Sequence, residues 1–284
     1  MSIATPWTIL PMALAAAVSA GAQPPTFTSK VEAVRVDVLV TDKGRALTDL
    51  GRNDFEVFDN GVLQQIDFVS YEQIPLNVVL AFDMSDSVAG DRLQHLRSAG
   101  AAVLGGLRKE DQAGLVTFSN PVVLGSALTT NRMPVREALD AAGGAGNTAL
   151  VDGVYAGMEL GESDVGRALL IVFSDGLDTV SWLTPGAVLD IAKRCDVVVY
   201  AVSTGRAKPE FLRDLTSFTG GRLFEVERTA NLGAIFLDVL QEFRQRYLLS
   251  YTPRGVAVSG WHRLDVRVKR KATVKARPGY LAGS

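Results

Sequence analysis

The sequence predicts an α/β protein in which a doubly wound, mainly parallel six-stranded sheet is inserted into a small β-sandwich formed by the N- and C-terminal strands. Between residues 74 and 245, apolar runs alternate with helical patterns, and this alternation is typical of a parallel sheet covered by helices on both faces. The flanking segments, 30–73 and 246–284, show strand patterns without helices. The 284 residues, 47% of them hydrophobic, are enough for a large buried core.

The amino terminus has the features of a secretory signal peptide. Residues 1–22 contain no charged side chain, and the apolar stretch Ile9 to Val18 is too short for a stable membrane span. Ala20-Gly21-Ala22 fits the small-x-small rule for a cleavage site. We therefore predict a signal peptide over 1–22, a linker over 23–29, and export to the periplasm, cell surface or medium. Because no Lys or Arg precedes the apolar stretch, an uncleaved membrane anchor remains the alternative.

The first β segment, residues 30–73, alternates apolar and polar residues. Val34, Val36, Val38 and Val40 recur with the period of a strand that has one buried face. Asp59-Asn60-Gly61 is a strong hairpin signal between two further strands. About four short strands are expected here.

The middle segment, residues 74–245, contains six strand patterns and six helical patterns. The third strand is a short apolar run suited to an antiparallel edge position. The predicted strands are Leu76–Phe82, Ala113–Phe118, Val122–Leu128, Ala168–Phe173, Val197–Val202 and Gly221–Val226. The predicted helices are Val88–Leu107, Met133–Leu139, Leu150–Leu160, Pro185–Lys193, Pro209–Phe218 and Leu232–Arg244.

The last segment, residues 246–284, returns to strand patterns. Each flank alone has only three or four strands, which is marginal for independent stability, and each has one apolar face that needs cover. We therefore predict that the flanks share one sandwich; the alternative is that they pack separately against the α/β domain. Residues 263–277 carry seven basic residues against one acidic, which indicates a solvated strand face or contact with an anionic surface. The basic residues are Arg263, Arg267, Lys269, Arg270, Lys271, Lys275 and Arg277.

A candidate metal site follows the first strand of the middle segment. Asp83, Ser85 and Ser87 alternate along the chain, so in extended backbone their side chains point the same way. They come at the carboxyl end of a buried strand, where open α/β sheets place their ligands. An oxygen-only site of this size suits a hard cation such as Mg²⁺.

Three motifs in order carry a resemblance to a known family. Asp83-x-Ser85-x-Ser87, Gly146-Asn147-Thr148 and Ser174-Asp175-Gly176 resemble the metal-ion-dependent adhesion site of von Willebrand factor type A (VWA) domains. The resemblance covers roughly residues 74–245. It implies a Rossmann-like sheet with strand order 3-2-1-4-5-6. The first flank is also similar to the leading β segment of secreted bacterial VWFA-related proteins.

The resemblance further implies a metal-dependent interaction function. An open metal position would accept an Asp or Glu carboxylate from a partner protein, and Asp175 would act through water or a hydroxyl. Asp86 and Asp178 are possible outer residues of the site. The alternatives are that Asp83 and Asp175 only cap loops, or that this is a structural envelope protein with a vestigial site. The implied ligands of one Mg²⁺ (or Mn²⁺) are Asp83, Ser85, Ser87, Thr148 and Asp175.

Other function classes find little support. Ser203 lies in a partial G-x-S-x-G motif whose first Gly is replaced by Ala201, and a serine hydrolase would need His262 beside it, since His95 lies in the first helix. There is no Walker A lysine and no H-E-x-x-H motif. The net charge of −2 argues against a general nucleic-acid binder, and the single cysteine, Cys195, is expected to be a small buried hydrophobe. We predict a non-enzymatic protein whose partner and oligomeric state the sequence does not define.

Overall fold

The computed structural model describes residues 33–162, 165–204 and 209–283. The predicted signal peptide, the linker and residues 30–32 lie outside the described residues. In the described part of the chain, no helix is long and apolar enough to cross a membrane.

The first flank forms strands of two different sheets. A 3-10 helix, Arg52–Asp54, interrupts the segment that was predicted to contain only strands. The Asp54 carboxylate accepts the Gly51 N–H at 2.7 Å, which stabilises this turn. The strands are β1 (Val34–Asp42), β2 (Arg45–Ala46), β3 (Phe55–Asp59), β4 (Val62–Gln64) and β5 (Ile66–Tyr71).

The middle segment contains the predicted six-stranded sheet, which the structure confirms. Its spatial order is β11-β10-β9-β6-β7-β8, and only β8 runs antiparallel to its neighbour. Counted from β6, this is the order that the resemblance implied. The strands are β6 (Leu76–Asp83), β7 (Gln112–Phe118), β8 (Val122–Thr129), β9 (Arg167–Ser174), β10 (Val198–Ser203) and β11 (Arg222–Glu225). The helices are α1 (Asp91–Gly106), α2 (Arg132–Ala141), α3 (Leu150–Gly161), α4 (Pro185–Ala192), α5 (Glu210–Phe218) and α6 (Leu232–Arg244).

The two faces of this sheet bury separate cores. Leu80 and Phe82 pack on the face covered by α1, α2 and α6, while the intervening Val79 and Ala81 pack on the face covered by α3, α4 and α5. Every residue of β6 and β9 is buried because helices cover both faces. This explains why these central strands are continuous apolar runs in the sequence.

Strands of the two flanks interleave. The last four strands are β12 (Tyr247–Tyr251), β13 (Gly260–Val268), β14 (Thr273–Lys275) and β15 (Gly279–Ala282). One sheet has the order β14-β1-β12-β5, with β2 added to β1, and the other has the order β15-β13-β3-β4. In both sheets, strands that precede the α/β domain are hydrogen-bonded to strands that follow it. Val38 of the first sheet and Val57 and Leu264 of the second belong to one buried cluster.

A buried carboxylate contacts two tyrosines of that cluster. Asp59 of β3 accepts hydrogen bonds from the hydroxyls of Tyr251 (2.9 Å) and Tyr280 (2.8 Å), and its other oxygen lies 2.7 Å from His262 Nδ1. Tyr251 belongs to one flank sheet, whereas the other three residues belong to the second. The bond from Tyr251 to Asp59 therefore joins the two sheets through their shared core.

Buried ion pairs stabilise the end of the α/β sheet that lies opposite the candidate site. Arg167, at the start of β9, pairs with Asp37 of β1. Asp111 accepts hydrogen bonds from the Leu76 N–H (2.9 Å) and from the Arg244 guanidinium (2.7 Å). Burial alone would raise the pKa of Asp111, but the Arg244 bond and the backbone donors outweigh it, so the pKa is lowered.

The basic C-terminal segment is only partly a solvated surface. Arg277 is buried, and its guanidinium donates to the carbonyls of Cys195 (3.0 Å) and Arg35 (2.8 Å). It therefore lies under the α/β domain rather than on an exposed strand face. Arg267 and Arg270 are exposed and pair with acidic neighbours.

Candidate metal centre

Asp83 is the most deeply buried of the five predicted ligands. It ends β6, is fully buried, and accepts hydrogen bonds from the Ser85 N–H (2.9 Å) and the Ser174 hydroxyl (2.8 Å). Burial raises the pKa of Asp83, the bonds from Ser85 and Ser174 oppose this, and the charge of Asp175 adds to it. The carboxylate is therefore held in place by neutral donors.

The first loop, residues 84–90, places two hydroxyls side by side. Ser85 Oγ and Ser87 Oγ are 3.1 Å apart, and Ser85 is buried whereas Ser87 is exposed. The backbone bond from Ser85 to Asp83 joins this pair to the carboxylate. The structure thus brings Asp83, Ser85 and Ser87 together, from the buried end of the strand to the surface.

The second loop, residues 142–149, carries Thr148. This residue is buried directly before α3, and its N–H donates to Thr179 Oγ1 at 2.9 Å. In return the Thr179 N–H donates to the Thr148 carbonyl at 2.9 Å. Thr179 belongs to the third loop, residues 175–184, so the second and third loops support each other.

Asp86 joins the first loop to the second. Its Oδ1 accepts the Gly146 N–H at 2.9 Å, and its own N–H donates to the Gly146 carbonyl at 3.0 Å. Gly146 has φ +88°, and a Cβ there would lie 2.6 Å from Asn120 Oδ1, so glycine is required on both grounds. The observed contact of Asp86 is thus a bridge between loops.

The third loop carries both remaining acidic candidates, and they point to different partners. Asp175 is half-buried, and its Oδ1 accepts the Leu177 N–H at 3.1 Å. Asp178 is exposed and accepts the Val151 N–H at 3.3 Å together with the Ser181 hydroxyl. Asp178 therefore stabilises the positive amino-terminal end of α3.

Ser174 is a residue of the site that the sequence reasoning missed. It ends β9, is fully buried, and donates to Asp83 while accepting the Gly176 N–H at 3.2 Å. The parallel register pairs Phe82 with Phe173, so the next residues along both strands, Asp83 and Ser174, are neighbours. The available signal was a small hydroxyl residue at the end of a buried strand, immediately before Asp175.

The donor set fits a hard divalent cation. Among the described residues, no Lys, Arg or His forms an ion pair with Asp83 or Asp175, and Arg92, which contacts the first loop, donates to the Ser87 carbonyl. A buried carboxylate without a cationic partner is unfavourable, and a bound cation would compensate it. No three His, Cys, Asp or Glu residues of the described ranges form a metal-binding group by themselves. The candidate ligands are not a group of that type, because they are two carboxylates and three hydroxyls.

Among the described residues, Ser203 and the two histidines are not hydrogen-bonded to one another. Ser203 is buried at the end of β10, and its hydroxyl has no hydrogen-bond partner among the described residues. His262 binds Asp59 within the flank core, and His95 Nδ1 lies 2.8 Å from Thr229 Oγ1. Cys195 is buried as predicted, and burial raises its pKa to about 11, which makes the thiol unreactive.

Comparisons with known proteins agree with this architecture. The sequence profile described as von Willebrand factor type A domain matches residues 77–238, more than half of the chain. No curated protein matches the chain significantly. A structure described as von Willebrand factor type A from Catenulispora acidiphila is 12% identical, with a TM-score of 0.54, over 85% of this chain and 75% of that one.

A second similar structure comes from an animal protein. Proximal thread matrix protein 1 from the mussel byssus, in a structure with a zinc-occupied MIDAS motif, is 17% identical, with a TM-score of 0.53. The match covers 65% of this chain but only 49% of the mussel protein. At these identities the structures support the fold, and the profile match identifies the family. The chain belongs to the von Willebrand factor type A domain family.

Proposed function

We propose that this protein is a non-enzymatic interaction module that binds an acidic group of a partner protein through one Mg²⁺ (or Mn²⁺). VWA domains commonly act as interaction modules. The observation that carries the proposal is the environment of Asp83, a fully buried carboxylate with only neutral donors among the described residues and with two further hydroxyls beside it.

Each candidate residue has a distinct role in this proposal. Asp83 supplies the main negative charge, while Ser85, Ser87 and Thr148 supply neutral oxygen ligands from two loops. Asp175, which is half-buried, acts through water or a hydroxyl. When bound, the ion would supply an incompletely neutralised positive charge that attracts a carboxylate of the partner. Ser174 positions Asp83, and Asp86 positions the second loop, so both act through other residues.

The proposal extends to architecture and location. We propose that residues 30–73 and 246–284 form one β-sandwich into which the VWA domain, 74–245, is inserted. The interleaved strand pairing, the shared cluster and the bond from Tyr251 to Asp59 support it. Export with removal of residues 1–22 remains a proposal from sequence, and amino-terminal sequencing of the mature protein should begin at Gln23.

Isothermal titration calorimetry with MgCl₂ and MnCl₂ tests the metal site. The protein should bind about one ion, and Asp83→Ala should abolish binding. Asp140→Ala is a matched control, because Asp140 is an exposed acid of α2 that pairs with Arg136. It should bind like the unmodified protein. Equal titrations of the unmodified protein and Asp83→Ala would show that the metal site is assigned wrongly.

A further inference from the structure

The third loop displays an aromatic side chain in water. Trp182 is 95% exposed, the largest value among the exposed large hydrophobic residues of the described part, and Leu177 of the same loop is 51% exposed. An indole ring left in water forgoes the favourable burial that such a large side chain normally gains. Exposed apolar groups of this kind mark interaction sites when they lie near one another.

The backbone around Trp182 is held in a fixed position. The N–H groups of Trp182 and Leu183 donate to the two carboxylate oxygens of Asp152, each at 2.9 Å. Ser181 Oγ in turn accepts the N–H groups of Val151 (3.1 Å) and Asp152 (3.2 Å). The loop is thus attached to the first turn of α3 on both sides, and the exposure of Trp182 does not result from a loosely held loop.

Trp182 also lies beside the candidate metal site. Asp152, which binds its backbone, lies in the first turn of α3, and Thr148 lies two residues before that helix begins. The same loop supplies Asp175, and its Thr179 binds Thr148. A partner whose carboxylate reached the metal would therefore extend over or beside Trp182.

We propose that Trp182 is the apolar anchor for the partner segment that the metal site binds. The occupant is a segment of a partner protein in which a single Asp or Glu is flanked, within about three positions, by an aromatic or large aliphatic residue. This rests on the proposed metal-dependent function and specifies its ligand.

The charges at the rim favour this type of segment. Asp86 and Asp178 are both exposed at the loops that surround the site. They would repel a polyacidic segment, whereas one carboxylate next to an apolar side chain meets the metal and the indole with little repulsion. A tryptophan on a backbone that is already fixed is well suited to such contact, because only its two side-chain torsions lose freedom on binding.

A phage-displayed library of random linear heptapeptides, selected on the immobilised protein in MgCl₂, tests this specificity. The enriched peptides should contain one acidic residue with an aromatic or large aliphatic neighbour, and EDTA should release them. With Trp182→Ala, the acidic residue should remain enriched and the apolar preference should disappear. The affinity of the best selected peptide should fall about tenfold or more in this variant.

Control variants separate the possible outcomes. Val258→Ala removes another exposed apolar side chain, 89% exposed and located between β12 and β13, and should leave selection unchanged. Trp182→Phe should restore most of the affinity, and calorimetry should show unchanged Mg²⁺ binding by Trp182→Ala. If the unmodified protein enriches no acidic residue, the proposed function fails. If acidic residues are enriched but Trp182→Ala selects the same peptides, only the role of Trp182 is refuted.

Discussion

Replacement of Asp83 by Asn is expected to raise the stability of the metal-free protein and to remove its response to Mg²⁺. An asparagine can keep both contacts, because its oxygen accepts the Ser85 N–H and its amide donates to Ser174 Oγ, in the reverse direction of the present bond. The substitution then removes a buried charge that has no cationic partner among the described residues, and it also removes the present acceptor of the Ser174 hydroxyl. We expect a gain of about 1–3 kcal/mol in the free energy of unfolding without metal.

The sign of this effect follows from the pKa of Asp83. Burial raises it above the unfolded value near 3.8, so the ionised form lowers the stability of the metal-free fold. This loss of folding stability begins as the pH rises above the pKa of Asp83 in the unfolded chain. It is complete once the pH exceeds the pKa of Asp83 in the folded protein. Mg²⁺ offsets this loss of stability. At a Mg²⁺ concentration of 100 times Kd, binding stabilises the fold by about 2.7 kcal/mol. At about 2–4 °C per kcal/mol for a chain of this size, the melting temperature should rise by roughly 5–11 °C.

Differential scanning calorimetry in EDTA and in MgCl₂ measures both effects. Asp83→Asn should melt above the unmodified protein in EDTA and should show no shift with Mg²⁺, so the order of stabilities inverts in MgCl₂ wherever the gain of the variant is below about 2.7 kcal/mol. Asp140→Asn, at the exposed pair on α2, should follow the unmodified protein in both. An Asp83→Asn variant that melts lower in EDTA, or that gains as much from Mg²⁺ as the unmodified protein, would refute the reasoning.

Three further predictions concern residues that support the site and the fold. Asp86→Ala removes the acceptor of the Gly146 N–H, so Mg²⁺ affinity by calorimetry should fall about tenfold with unchanged stoichiometry. Gly146→Ala, which adds a clash and left-handed strain, should lower the affinity further. Asp59→Ala leaves two tyrosine hydroxyls and a histidine in the flank core without their acceptor, and should cost about 3–5 kcal/mol in urea unfolding. Asp111→Asn weakens the bond to Arg244 and should cost about 2–4 kcal/mol at pH 7. The pKa of Asp111 is lowered in the folded protein, so the stability cost of Asp111→Asn should shrink as the pH falls below the unfolded value of 3.8. An equal cost at pH 7 and pH 3 would contradict this prediction.

The strands and helices of the central sheet were predictable because each is indicated by a pattern within its own short stretch of sequence. The run Leu76–Phe82 is apolar at every position save Asn77, and the structure ends that strand one residue later, at Asp83. The helix Leu232–Arg244 has the predicted bounds, since its apolar residues recur at helical spacing. The oxygen-bearing side chains at the strand ends are visible in the sequence for the same reason, and their binding of a metal stays a prediction.

What the sequence missed depends on contacts between distant residues. Ser174 binds Asp83 only because the parallel register places the ends of β6 and β9 side by side. The bridge from Asp86 to Gly146 spans 60 residues, so no local pattern contains it. Arg277 belongs to a basic run, but burial under the α/β domain, rather than its neighbours in sequence, decides its role.

We expect one divalent ion to bind at the end of β6. Crystals grown with MnCl₂, measured at the manganese absorption edge, would locate the ion directly by anomalous scattering. We predict one strong anomalous peak within coordination distance of Asp83, Ser85 and Ser87, with Thr148 and Asp175 around it. No peak at this position, or a strong peak elsewhere with these side chains hydrogen-bonded only to one another, would contradict it.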